Sequence, residues 1–167
     1  MALTTQQLTA LKADILADPT LSAYPMDSDG AFAIAAAYSQ PAAPGFYVWK
    51  TNVTNAEILQ NGMDWLRVDN LSVGKARIWD WMFQFGSVDA SKPNVRAGIA
   101  EVWKGTAADN AVRLSVFGHC QRLANRAEKL FATGSGTSTT VDGVGPATMT
   151  FVGTLSYTDV IEARQLP

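Results

Sequence analysis

The stretch Thr133–Ala147 reads TGSGTSTTVDGVGPA and separates two parts of the chain that are richer in packing residues. It contains four glycines, one proline and a single charged residue, Asp142. Loops of this length without secondary structure are uncommon in compact domains, and they are often functional or mobile. The composition predicts a flexible loop that is poorly ordered when free. A neighbouring subunit is the simplest candidate for holding it in place.

Helical patterns dominate residues 1–132, which precede this loop. Apolar residues recur at helical spacing, and the residue types that cap helices stand ahead of them. The expected caps are Thr4 or Thr5, Asp27 or Asp29, Thr54, Ser72 and Thr106. The longest predicted helix runs from about Ala107 to Ala132, with Gly134 as its stop. The aromatic and β-branched segment FYVWKTNV, residues 46–53, is the first predicted extended segment.

The residues after the loop again include apolar side chains at spacings suited to packing. ATMTFVGTLSY, residues 147–157, alternates apolar with small or polar residues, as a half-buried strand does. DVIEARQ, residues 159–165, predicts a final short helix. The predicted fold class is mainly α, a helical bundle with one or two short extended segments and a flexible loop leading to a C-terminal arm. The predicted organisation is a helical body over 1–132, a flexible loop over 133–147 and a strand and short-helix arm over 148–167.

The overall composition limits the classes of protein to which the chain can belong. The chain has 167 residues, the size of one domain, and 47% of them are hydrophobic. Only 17% are charged, below the about 25% of ordinary soluble domains, which favours lasting contacts with other chains. The net charge of −2 provides no basic patch for phosphate binding. No apolar run approaches the about 20 residues that a membrane-spanning helix needs.

No constellation for catalysis or metal binding is visible in the sequence. The one histidine, His119, stands beside the one cysteine, Cys120, and adjacent helical residues point about 100° apart. One His and one Cys fall short of a zinc site. The run DSDG at 27–30 lacks the remainder of a calcium loop and is better explained by helix capping. We therefore expect a protein that is not an enzyme, with no catalytic, cofactor-binding or metal-binding residues.

Interface packing is the better explanation of the aromatic content. The chain has five tryptophans, a residue enriched at binding hot spots. Trp79 and Trp81 stand two positions apart, so on a helix one would face the core and the other a partner. The residues predicted to form interfaces are Trp79 and Trp81 on the body, and Phe151, Val152, Leu155, Tyr157, Val160 and Ile161 on the C-terminal arm.

Four segments resemble a family of small virion structural proteins of tailed bacteriophages. They are LKADILADP at 11–19, VWKT at 48–51, RAEKLFATG at 126–134 and GTLSYTDV at 153–160. Genes of this family typically lie among virion structural genes, near those of the portal and the major capsid protein. The resemblance touches both ends and most of the chain, except residues 61–91. It implies a virion component that is assembled in the bacterial host cytoplasm.

Within the virion, the resemblance implies a head-to-tail adaptor or connector ring at the neck, below the portal. The implied partners are other copies of the chain, about twelve in a ring, together with the portal protein and tail or nozzle proteins. Packaged DNA would pass nearby without specific contacts, and no membrane is involved. The alternatives are another minor virion protein, such as a tail terminator or head decoration, or a small soluble protein-binding module.

Overall fold

The computed structural model describes residues 2–167, and about 52% of the chain is helical, which confirms the mainly α class. The helices are α1 (Thr5–Ala17), α2 (Pro19–Ser22), α3 (Ser28–Tyr38), α4 (Asn55–Leu59), α5 (Trp65–Asp69), α6 (Val73–Phe83), α7 (Pro93–Val102), α8 (Ala107–His119), α9 (Arg126–Leu130) and α10 (Tyr157–Gln165). The strands are β1 (Tyr47–Trp49), β2 (Val53–Thr54), β3 (Ser87–Val88), β4 (Gln121–Leu123), β5 (Ala132–Thr133) and β6 (Thr148–Met149).

The chain divides into two compact units that do not follow the predicted body, loop and arm. The first unit contains the chain up to Phe46 together with Leu123–Thr133 and Met149–Pro167. The second contains Tyr47–Arg122 and Gly134–Thr148. The predicted division followed local composition, whereas the chain passes repeatedly from one unit to the other.

The helix starts are where the capping residues predicted them. Thr4, Thr54 and Thr106 each accept a hydrogen bond from the backbone N–H three residues on, and the side chain of that residue binds back. Asp27 and Ser72 cap α3 and α6 through their side-chain oxygens. These predicted helix starts are confirmed. They could be predicted because a capping contact joins residues only three positions apart.

The first unit is built from α1, α2, α3, α9 and α10. Helix α10 packs against both α1 and α3. The core holds Leu11, Ile15, Ile34, Tyr38 and Val160, each at most 1% exposed. The C-terminal segment therefore folds onto helices of its own chain, and the prediction that it extends as an arm onto a neighbour is wrong for this structure.

The predicted strand at 147–157 is short in the structure, where only β6 is extended as a strand. The chain turns at Gly153, whose φ is +111°, and the Gly153 N–H donates to Oε1 of the buried Glu128 at 3.0 Å. A bend of this kind ends the alternation, because a left-handed residue cannot continue a strand.

The second unit surrounds a core of large side chains, among them Trp49, Ile58, Trp103 and Phe117. Trp49 and Phe117 meet edge to face with their centroids 6.0 Å apart. Strands β2 and β3 pair antiparallel, with Val53 opposite Val88. The Arg96 guanidinium lies over the Trp49 ring, and its Nη1 donates to the Ala90 carbonyl at 2.8 Å. Burial lowers the pKa of Arg96.

The single long helix predicted from Ala107 to Ala132 is wrong. Helix α8 ends at His119, and the Cys120 carbonyl accepts a hydrogen bond from the Lys50 N–H at 2.8 Å instead of a helical donor. A new helix, α9, then begins behind Asn125, whose side chain accepts from the Glu128 N–H at 2.8 Å. A second capping box inside the apolar pattern marks this interruption.

The glycine-rich segment is held by the chain itself. The Trp49 N–H donates to the Ala147 carbonyl at 3.0 Å, and the Tyr47 N–H donates to the Gly136 carbonyl at 2.7 Å. Inside the segment, Thr137 N–H bonds Gly145 O at 3.1 Å. The expectation that a neighbouring subunit is the simplest candidate for holding this loop is therefore corrected, because β1 of the same chain supplies hydrogen-bond partners.

Among residues 2–167, no helix is both long and apolar enough to cross a membrane.

Candidate interaction surface

The predicted C-terminal interface residues divide into buried and exposed groups. Leu155 and Val160 are 5% and 0% exposed in the core of the first unit, so neither is available to a partner. Phe151 meets Phe131 edge to face at 5.4 Å, and Ile161 packs against the same core. For Leu155 and Val160 the burial corrects the sequence interpretation, because one apolar pattern serves equally for a partner and for the chain's own helices. Phe151 and Ile161 are half-buried, and their role in an interface stays a prediction.

Val152 and Tyr157 remain accessible on the first unit. Val152 is 57% exposed, and Tyr157 is 38% exposed although its ring stacks on Phe32 at 4.3 Å. Phe32 itself is 54% exposed, so the two rings form a small surface pair. Their role in an interface stays a prediction.

Helix α6 presents a different arrangement on each of its sides. Its inner side holds Trp79. The centre of the Trp79 ring lies 4.8 Å from that of Phe83 and 5.5 Å from that of Trp103, which it meets edge to face. The approach of α7 is close here, since a Cβ on Gly98 would lie 2.8 Å from Sδ of Met82. Trp79 is therefore a packing residue of its own unit, and the inner side of α6 is fixed in place.

The outer side of α6 is apolar and exposed. Trp81 stands about 160° around the helix axis from Trp79 and is 74% exposed. Val73 is 78% exposed, Ile78 36%, and Phe85, just past the helix end, 89%. Helical geometry places Val73, Ile78 and Trp81 within a sector of about 140°, and Phe85 follows two residues after the helix ends. We call these four exposed side chains the α6 face.

The size of the α6 face sets it apart from scattered surface residues. Trp81 and Phe85 alone expose roughly 330 Å², taking about 200 Å² for each whole aromatic side chain. The largest apolar patch on a typical monomer is about 300–600 Å² and is often functional. With Val73 and Ile78 added, the α6 face lies within that range, and it is our candidate functional site.

Neighbouring helix α5 adds exposed apolar side chains that sequence reasoning missed. Trp65 is 60% exposed and Leu66 is 68% exposed, behind the helix cap at Asp64. The sequence of this region was ambiguous because its apolar residues follow neither a clear helical nor a clear strand period. Val73 and Phe85 were also missed, although their spacing of eight and four positions from Trp81 was readable as one helical face.

The charges around the α6 face are few. Arg77 lies inside the apolar sector and Asp80 at its edge, and both are exposed. An apolar surface with a single positive group inside it suits a largely uncharged partner surface and offers no cluster of charges for an anion.

The histidine and cysteine pair is not assembled for chemistry. The Cys120 side chain is buried, and burial raises the pKa of its thiol to about 12. His119 Nε2 lies 2.9 Å from the Asn61 carbonyl oxygen. Among the described residues 2–167, no three or more His, Cys, Asp or Glu side chains are grouped to hold a metal ion.

Two open grooves lie on the first unit. One, of about 560 Å³, is lined by Phe151, Val152, Asp159 and threonine hydroxyls. The other, of about 600 Å³, is lined by Gln7, Phe131 and further threonines. In the first groove, Oδ2 of Asp159 accepts from Ser156 Oγ and from the Ser156 N–H as part of the α10 cap, so this carboxylate has a structural role at the helix start.

No protein-family model matches the chain, and no curated protein and no solved structure is significantly similar to it.

Proposed function

We propose that this chain is a structural protein of a tailed-bacteriophage virion, most specifically a head-to-tail adaptor that forms a ring at the neck below the portal. The α6 face is the observation that carries the proposal. Trp81 is exposed on α6 and Phe85 is exposed just past its end, and both are aromatic residue types enriched at protein interfaces. The virion location comes from the four segments that resemble the phage family.

The chain's composition supports an assembly role. Only 17% of its residues are charged, so much of its surface is neutral and suited to lasting contact. The C-terminal segment adds little support, because Leu155 and Val160 are buried against helices of the same unit and only Val152 and Tyr157 are accessible. The case for assembly therefore rests on the body of the chain rather than on its end.

Disruption of the gene in the encoding phage tests the proposed role. An adaptor links the filled head to the tail, so its loss should leave DNA-filled heads and free tails of normal length in the lysate. Electron microscopy distinguishes the alternatives. Overlong tails would identify a tail terminator, and joined particles with fragile heads would identify a decoration protein.

The composition of purified virions gives a second test. Mass spectrometry should find the chain in the particle at about twelve copies, as the resemblance implies. Complete virions that lack the chain would overturn the proposal and favour a small protein-binding module that acts outside the particle.

A further inference from the structure

Asn61 and Gly62 form an exposed turn between α4 and α5. The backbone of Gly62 is left-handed, with a φ of +79°, and a Cβ at this position would collide with Oγ of Ser115 on α8. Both the backbone conformation and the neighbouring helix therefore exclude a residue with a side chain. The fold thus requires a glycine directly after an exposed asparagine.

An asparagine that precedes a glycine can react with its own backbone. The glycine nitrogen loses its proton to solvent and attacks the side-chain carbon Cγ of the asparagine. The N–Cγ bond forms, the Cγ–Nδ2 bond breaks, and Nδ2 takes up a proton and leaves as ammonia. Water then opens the cyclic imide at one of its two carbonyl carbons, which gives aspartate or isoaspartate. Glycine favours this reaction because no side chain shields its nitrogen.

Both reacting groups of the pair are unrestrained by the fold. Within the described residues 2–167, no acceptor binds the Gly62 N–H, and no hydrogen bond engages the side-chain amide of Asn61. A backbone N–H that is held by an acceptor must give up that bond before its nitrogen can attack, which slows the reaction. Gly62 does not carry this barrier, and both residues are open to water.

Two further pairs in the sequence have the side chain and the glycine for the same ring closure, Asp29–Gly30 and Asp142–Gly143. In the first pair, the glycine N–H donates to Oδ1 of Asp27 at 2.9 Å. In the second pair, the glycine N–H donates to the Thr140 carbonyl at 3.0 Å. The folded chain therefore engages both of these glycine nitrogens, and of the three described pairs only Asn61–Gly62 has its nitrogen available.

Asn70 provides a comparison in the same unit, because it is also an exposed asparagine. Its Nδ2 donates to the Leu66 carbonyl at 2.7 Å, and the N–H of the following Leu71 donates to the Val68 carbonyl at 3.2 Å. The amide of Asn70 is thus held in place, and the next nitrogen is both engaged and shielded by a leucine side chain. Exposure alone therefore does not make an asparagine of this chain reactive.

The carbonyl group that joins Asn61 to Gly62 is held by two donors from α8. Ser115 Oγ donates to the Asn61 carbonyl oxygen at 3.2 Å, and His119 Nε2 lies 2.9 Å from the same oxygen. A carbonyl oxygen only accepts, so this ring nitrogen is the donor. When the Gly62 nitrogen loses its proton, the negative charge spreads to this oxygen through peptide resonance. Donors that already point at the oxygen stabilise the charge as it develops, as an oxyanion hole does.

We propose that Asn61 is a modification site at which the chain deamidates itself. The Gly62 nitrogen attacks the Asn61 side chain, while Ser115 and His119 stabilise the charge on the Asn61 carbonyl oxygen. The product carries a new carboxylate, so the formal net charge changes from −2 to −3. In the isoaspartate product the main chain is also one carbon longer at this turn. The reaction needs only the chain and water, so it is independent of the virion role.

Incubation of the full chain at physiological temperature and pH tests the reaction. Peptide mapping by mass spectrometry, against an unincubated sample digested in parallel, should show the peptide with Asn61 converting to aspartate and isoaspartate forms. The peptide with Asn70 should stay unchanged. Isoelectric focusing of the intact chain should show a matching shift to the acidic side. Asn61→Gln is the control and should show neither change, because glutamine closes a larger ring that forms more slowly.

Ser115→Ala tests the role of the α8 donors. Loss of one ordinary hydrogen bond to the developing charge should slow the conversion of Asn61 by about threefold to tenfold. A merely structural role of Ser115 predicts the opposite result, since a loosened turn samples the reactive geometry more freely. Ser22→Ala, at an exposed serine of α2, is the matched control and should convert at the wild-type rate.

An Asn61 amide that stays intact in the incubated native chain would overturn the proposal, as would conversion of Asn70 at an equal rate. Conversion of Ser115→Ala at the wild-type rate or faster would overturn the role of the α8 donors. These results are separate from the gene disruption, which tests the virion role: the chain can deamidate without entering a virion, and an adaptor can keep its Asn61 amide.

Discussion

Arg126 Nη2 lies 3.0 Å from Asp14 Oδ2, although 112 positions separate the two residues in the chain. The same nitrogen lies 3.0 Å from Asp18 Oδ2, and the guanidinium carbon stands 4.8 Å from the centre of the Tyr38 ring. One arginine on α9 thus joins both carboxylates at the end of α1 to a buried tyrosine of α3. This contact therefore joins parts of the first unit that are far apart in the sequence.

Replacement of Arg126 by Met should lower the melting temperature by a few degrees. The ion pairs are about one-third exposed, so solvent reduces their strength, but the stacking over Tyr38 is lost as well. Thermal unfolding followed by circular dichroism measures the change, and Arg77→Met, on the exposed side of α6, serves as the control. A melting temperature equal to that of the control would contradict a stabilising role.

Asp18→Asn should reduce the acid sensitivity of the first unit. The Leu21 N–H above all, with Arg126 and the Thr20 N–H, holds the pKa of the Asp18 carboxyl below its usual value of 3.8. The stability that a lowered carboxyl pKa contributes is fully present above the pKa of the group in the unfolded state. It is lost as the pH falls through the pKa of the group in the folded state. The wild type should therefore lose stability below about pH 3.8, and the variant should lose less there.

The measurement is the free energy of urea unfolding as a function of pH. Equal slopes for Asp18→Asn and wild type in the acid range would show that the carboxylate contributes nothing to the pH dependence.

Val160→Ala should destabilise the chain by about 2 kcal/mol, because it removes two methyl groups from a fully buried site and leaves a cavity. Val152→Ala removes the same atoms from a side chain that is 57% exposed, so the change should be within about 0.5 kcal/mol. Urea titration compares the two. Equal effects would show that α10 does not pack on α1 and α3 in solution.

Gly143→Ala should cost about 3 kcal/mol. Its φ is +69°, and a Cβ there would lie 2.6 Å from Cζ of the buried Phe117 ring, so backbone strain and a steric clash add. Gly86→Ala is a matched control with a φ of +85° and open space around it, and it should show the strain alone, about 1–2 kcal/mol. Equal losses would indicate that the glycine-rich segment does not rest on Phe117.

Cys120 should resist alkylation by iodoacetamide at pH 8 in the native chain. Burial raises the pKa of its thiol to about 12, well above pH 8, so the thiol stays protonated, and the sulfur is also out of reach. Mass spectrometry should show complete labelling only after denaturation. Rapid labelling of the folded chain would place Cys120 at the surface.

The helix starts could be predicted from the sequence because each depends on a contact between near neighbours. Thr54 and Glu57 bind each other's backbone N–H groups across three positions, and Thr106 and Asp109 do the same. The opposite orientations of Trp79 and Trp81 also followed from helical geometry alone. The assignment of Trp79 to the inside needed the structure, because either tryptophan satisfies the pattern.

The sequence by itself determined the mainly α class, the capped helix starts and the low surface charge, since propensities and capping contacts act over one turn of chain. Only the tertiary structure decided where α8 ends and which way the C-terminal segment runs. The Lys50 N–H donates to the Cys120 carbonyl, and the Gly153 N–H donates to the Glu128 carboxylate. In each pair the two residues are far apart in the chain. Apolar residues such as Val160 specify that a surface must be covered, and the identity of the covering helix depends on which partner the folded chain brings within reach.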